Sequence, residues 1–111
     1  MKKTTGTIEK GKAFNLKSLA VYAEGSVVSR TLTENPSGTI TVFAFDEGQG
    51  LSEHSAPYDA VVQVIDGKVE IGIGGKPHKL SEGDIIVMPA NIPHKLRAIE
   101  KFKMLLTMIK A

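Results

Sequence analysis

The stretch GDIIVMPANIPH, Gly83 to His94, sets the reading of the chain. Ile85 to Met88 is an apolar run of one strand's length. Gly83-Asp84 opens it, and Pro89 closes it because proline has no N–H to give to a ladder. A second proline, Pro93, starts the next extended segment, which runs to Ala98. Short strands fenced by glycine and proline are the unit, and the rest of the sequence repeats it.

Working outward, Ser26 to Leu32 and Thr39 to Phe45 are rich in Val, Thr, Ile and Phe. Asn35-Pro36-Ser37-Gly38 divides them, a turn cluster that predicts a hairpin. Asp46 to Gly50 is a break, followed by a short segment at Leu51 to Ser55. Ala60 to Ile65 is a strand that is expected to turn at Asp66-Gly67, a favoured two-residue hairpin connection, into Val69 to Ile73. Gly74-Gly75 makes the next turn, leading to Lys76 to Leu80, and Lys103 to Ile109 ends the series. Phe14 to Tyr22, with Asn15 before a short apolar run, predicts one helical turn broken at Glu24-Gly25. Many short strands with almost no helical period predict an antiparallel sandwich or closed barrel.

At 111 residues the chain has the size of one domain. Residues 1–12 are polar and without period, so they are expected to form a flexible or partner-ordered N-terminal segment, with residues 13–111 as the single barrel domain. No apolar run reaches the roughly 18 residues of a membrane span. The basic opening has no apolar stretch behind it, so it is not read as a secretory signal, and a cytoplasmic setting is expected. The absence of cysteine excludes disulfides, thiolate catalysis and cysteine-ligated zinc. The formal charge is only +2 and the lysines are spread along the sequence, so no nucleic-acid partner is expected. Met104 to Ile109 is apolar on both faces. Its second face therefore calls for another sheet or a second subunit, and a homodimer is expected.

Gly83, Pro89, Asn91 and His94 resemble the second motif of the cupin family, in particular its small single-domain members. That motif has glycine where this chain has Asn91, and asparagine is the residue that best replaces glycine in a left-handed turn. The resemblance spans about Thr39 to Ile109. It implies an all-β fold, an antiparallel double-stranded β-helix or jelly-roll barrel. In the family's first motif, two histidines one residue apart precede a glutamate and a glycine. His54 matches the first histidine and Gly67 the glycine, but Ala56 and Ala60 stand at the other two places.

In metal-binding cupins the three histidines and the glutamate hold iron, manganese, nickel or zinc. The resemblance therefore implies at most an incomplete metal site at His54 and His94, with a weakly bound divalent ion and no certain cofactor. Strand alternation turns Asp59 and Glu53 away from the vacant places, and Val62 and Val64 follow Ala60 inward. The expected ligand pocket is His54, His94, Tyr58 and Met88. Each has a plainer reading: the histidines as polar pocket-lining residues, Met88 with Met104 and Met108 as core filling, and Tyr58 as a dimer contact. His78, just past the Gly74-Gly75 turn, is assigned no chemistry. The leading functional reading is a small cupin that binds a small organic molecule, a sugar or carboxylic acid, in its barrel. A metal-dependent dioxygenase, isomerase or decarboxylase using His54 and His94 competes with it, as does a non-catalytic scaffold module.

Overall fold

Burial with a period of two shapes the strands. His94, Leu96 and Ala98 are buried while Lys95 and Arg97 between them are exposed, and Ala60, Val62 and Val64 are buried along another strand. The computed structural model describes residues 2–4 and 7–110, with side chains from residue 7 onward. In chain order the strands are β1 (Lys2–Thr4), β2 (Val27–Asn35), β3 (Gly38–Phe45), β4 (Gly50–His54) and β5 (Ala60–Asp66). They continue as β6 (Lys68–Ile73), β7 (Lys76–Ser81), β8 (Ile85–Met88), β9 (His94–Ala98) and β10 (Phe102–Ile109). One sheet has the order β1-β2-β3-β10-β5-β8 and the other β4-β9-β6-β7. Every pairing is antiparallel except that of β1 with β2.

The two sheets pack face to face as a jelly roll. Phe45 of β3 and Phe102 of β10 stack with ring centroids 4.6 Å apart, in a core shared with Val62, Met104, Val69 and Ile71. Fully burying side chains of this size contributes roughly 1.5–3 kcal/mol each. This core is the main force joining the sheets.

The Pro36-Ser37 and Gly74-Gly75 turns make hairpins as expected, β2 with β3 and β6 with β7. Gly74 and Gly75 have φ of 56° and 84°, the positive pair that a tight two-residue hairpin demands. The expectation of a third hairpin at Asp66-Gly67 is not met. β5 pairs with β10 and β8, whereas β6 pairs with β7 and β9, so the chain changes sheet there. Local turn chemistry is the same for a hairpin and for a crossing. Tertiary packing decides between them, because both β5 and β6 must bury an apolar face, and each covers the other's.

The predicted helical turn is a single turn of 3-10 helix, Leu16–Ser18. Its segment answers the two-faced apolar character of β10 in a way the sequence did not suggest. Leu16, Ala20 and Tyr22 lie over Val42, Ala44, Val28 and Leu105 on the outer face of the six-stranded sheet. The chain thus covers part of that face itself. Farther along, Ile85 and Val87 on the edge strand β8 stay 61% and 53% exposed. The expected flexible or partner-ordered segment, residues 1–12, lies partly outside the described residues. Within them, Lys2–Thr4 pair with β2, and the Ile8 N–H donates to the Leu32 carbonyl at 3.2 Å.

The crossing at Gly67 leaves no room for a side chain. Its φ is 76°, and a Cβ there would sit 1.9 Å from the Lys101 carbonyl oxygen. Gly75, with φ of 84°, has open space around the same position. Gly75→Ala is expected to cost only the left-handed penalty, about 1–2 kcal/mol. Gly67→Ala adds a backbone clash and should cost ~3 kcal/mol or more. Urea denaturation midpoints of the two variants check this, and equal losses would refute the steric account.

Candidate functional site

A β-bulge brings the two histidines together. Leu51 of β4 pairs with Leu96 of β9 and packs against the core, and His54 pairs with His94. Three steps along β4 thus match two along β9. In a regular strand three steps would turn His54 to the opposite side from Leu51; the bulge at Ser52 and Glu53 turns it back inward. The imidazole rings meet edge to face with centroids 4.4 Å apart.

The loop that delivers His94 is fastened to the segment after β4. Asn91 takes the left-handed conformation with φ of 65°, as the glycine place of the motif requires. Its N–H donates to the Ala56 carbonyl at 2.7 Å, and the Ala90 N–H donates to Asp59 Oδ1 at 2.9 Å. Asp59 therefore serves the loop as a backbone anchor. Ala56 contributes a carbonyl and Ala60 a buried methyl where the resemblance would place a histidine and a glutamate.

Both rings are held in the same tautomer. His54 Nδ1 lies 2.7 Å from the Ser52 carbonyl oxygen and His94 Nδ1 lies 3.3 Å from that of Ile92. A carbonyl only accepts, so each Nδ1 carries a proton, and in a neutral ring Nε2 is then the acceptor. His94 is 5% exposed, while His54 is exposed at the rim. Burial, followed by the neighbouring His54, holds the His94 pKa below the ordinary histidine value, against a smaller upward pull from the Ile92 carbonyl. His94 is thus favoured in its neutral form, with Nε2 as an acceptor beside the His54 ring.

The donor set does not fit a resident metal centre. Two imidazoles are on hand, and among the described residues no group of three or more His, Cys, Asp or Glu side chains is placed to hold an ion. Met88 is buried in the core opposite Ala60, and Tyr58 is half-buried with the Lys110 ammonium 5.7 Å from its ring centroid. Met104 and Met108 pack against the same core, and His78 is exposed on β7.

A cavity of about 600 Å³ lies on the outer face of the four-stranded sheet, with Lys95, Arg97, Glu70, Gly50 and Gly72 in its lining. None of the four expected pocket residues contributes to it. The sequence signal for this trough was the alternation in His94-Lys95-Leu96-Arg97, which sends both cations outward. Only strand pairing sets them beside Glu70 and Gly72.

The family model described as Cupin domain matches residues 41–110. A crystal structure of a conserved protein of unknown function from Streptococcus pyogenes is 40% identical, covers 96% of this chain and 93% of its own, and superposes with a TM-score of 0.90. A cupin 2 conserved barrel domain protein from Leptotrichia buccalis is 42% identical over 87% of this chain, with a TM-score of 0.85; this chain spans 47% of that one. A cupin superfamily protein from Desulfitobacterium hafniense, 24% identical with a TM-score of 0.88, shares the fold over 96% of this chain and 97% of its own. No curated protein matches the chain.

The lowered His94 pKa makes stability depend on pH with a definite sign. Above the ordinary histidine pKa of about 6.5 both folded and unfolded chains carry neutral His94, and its site is fully stable. As pH falls through that value the unfolded chain takes up a proton the folded one resists, so stability declines toward the lower folded pKa. Urea midpoints at pH 7.5 and 5.5 should therefore differ, by less in His94→Gln than in the parent. An NMR titration of His94 that reads a pKa at or above the ordinary value would contradict this.

Proposed function

The chain belongs to the cupin family, and from that membership we propose that it binds a small hydroxyl-bearing organic molecule at the rim of its jelly roll, between His54 and His94. The observation that carries the reading is the shared tautomer of the two imidazoles. Two Nε2 lone pairs side by side accept hydrogen bonds from a sugar-like diol, and from a carboxylic acid in its protonated form. The neutral state of His94 favours hydroxyl donors at neutral pH. The core behind the pair is filled by side chains such as Phe45, Val62 and Met104, so the ligand rests on the rim and does not enter deeply.

Calorimetric titration with a panel of monosaccharides, sugar acids and short organic acids is the test. At least one hydroxylated compound should bind, with affinity lost in His54→Ala/His94→Ala. Elemental analysis of protein purified without added metal should find no stoichiometric metal. Stoichiometric iron, manganese, zinc or nickel that disappears in the same double variant would replace this reading with the metal-dependent one. No binding from the panel, with no metal, would leave the jelly roll as a scaffold.

A homodimer is part of the proposal. The edge strand β8 has no neighbour on its outer side among the described residues and carries the exposed Ile85 and Val87, which a second copy of the same edge would cover. Light scattering should read a mass near twice 11.9 kDa, falling toward 11.9 kDa in Ile85→Lys/Val87→Lys. A monomeric mass for the parent chain at micromolar concentration would refute it.

A further inference from the structure

The outer face of the four-stranded sheet gathers charge that the sequence disperses. By register and alternation, Lys68 and Glu70 of β6, Lys79 of β7, and Lys95 and Arg97 of β9 share this face. It therefore carries four cations against two carboxylates, Glu70 and, beside the inward-turned His54, Glu53, in a chain whose formal charge is only +2. Glu70 lies 3.4 Å from Arg97. Among the described residues none of the three lysines has a carboxylate within ion-pairing distance.

The face is also hollow. The 600 Å³ trough crosses all four strands, from Gly50 of β4 through Lys95 and Arg97 to Gly72 of β6 and Pro77 of β7. Gly72 brings no side chain to it, and at Gly50 the β4 backbone runs so close to the Leu96 carbonyl oxygen that a Cβ would sit 2.0 Å from it. The Lys95 stem lies along the floor, its Cγ and Cε each 3.2 Å from where a Gly72 Cβ would be. Its aliphatic part is thus seated while its ammonium stays available.

We propose that this trough is a second binding site, for a small organic polyanion such as a tricarboxylate or a sugar phosphate, with Lys95 and Arg97 as its main contacts. The volume suits a small molecule, since such sites run from about 300 to 1,000 Å³. Charge complementarity selects an anion, and Arg97 offers the planar fork that grips carboxylate or phosphate. Nucleic acid fits less well. The face has no aromatic side chain on which a base would stack, and four strands about 4.8 Å apart give it little length for a backbone to follow. The site is on the opposite side of the sheet from His54 and His94, and it does not depend on the function proposed for them.

The experiment is an amide NMR titration of the full chain at about 50 mM salt, where surface charge is only partly screened, with citrate and with fructose 1,6-bisphosphate as probes. Saturable shifts are expected at the Gly50, Gly72 and Gly75 amides with at least one probe. Losing two charge-assisted contacts in Lys95→Gln/Arg97→Gln should weaken binding about tenfold or more. His54→Ala/His94→Ala and the remote Lys10→Gln should leave it unchanged, which separates this site from the rim. Because Lys95 and Arg97 are exposed, the variant should keep the parent's melting temperature within a few degrees. No shift at the trough glycines with either probe, or the same affinity in the Lys95/Arg97 variant, would overturn the proposal. Tighter binding of a short single-stranded DNA than of both probes would overturn it in favour of a nucleic-acid face.

Discussion

The structure depends on the passage of the chain from one sheet to the other at Gly67. A single residue separates β5 from β6, and its backbone runs so close to the Lys101 carbonyl that no side chain fits. Because the passage is this tight, Val62 and Val64 of β5 and Val69 and Ile71 of β6 enter the same core from opposite layers. Phe102, at the start of β10 and next to the constricting Lys101, stacks on Phe45 and closes that core. A looser crossing would separate the layers by the length of the connection and lose the burial that joins them.

The histidine pair follows from the same economy of geometry. A bulge in β4 and a left-handed Asn91 each correct a local direction, and together they aim two side chains forty residues apart at one point. The family's scaffold for a polar cluster is kept, with its loop fastened by the Ala56 carbonyl and the Asp59 carboxylate. What has changed is the chemistry on it. Two imidazoles without a carboxylate make a hydrogen-bonding surface, whereas a metal centre would need further donors to balance the ion's charge.

The second face of each sheet shows how one fold supports more than one surface. Outside the six-stranded sheet, the segment around Leu16 and Tyr22 seals apolar residues that would otherwise face water. The Tyr22 hydroxyl donates to Asp66 at 2.6 Å, and the Lys103 ammonium sits 4.8 Å from the Tyr22 ring centroid, so polar groups pin the seal at its edge. Outside the four-stranded sheet nothing comparable covers the trough among the described residues, and its cations stand open.

The sequence by itself determined the strands from β2 to β10, most of their ends and the turns at Pro36-Ser37 and Gly74-Gly75, because these rest on short-range sterics: which residues permit positive φ, and which cannot donate to a ladder. It also determined the left-handed Asn91 and the loss of two polar groups at Ala56 and Ala60, which are facts of residue identity. Tertiary structure alone decided that Asp66-Gly67 is a crossing, since hairpin and crossing share their local chemistry and differ only in where distant strands find apolar partners. It decided that a bulge aims His54 at His94, a matter of register between strands far apart in sequence. And it decided that Lys68, Lys79, Lys95 and Arg97 form one charged face, because pairing between strands, and not distance along the chain, sets which charges are neighbours.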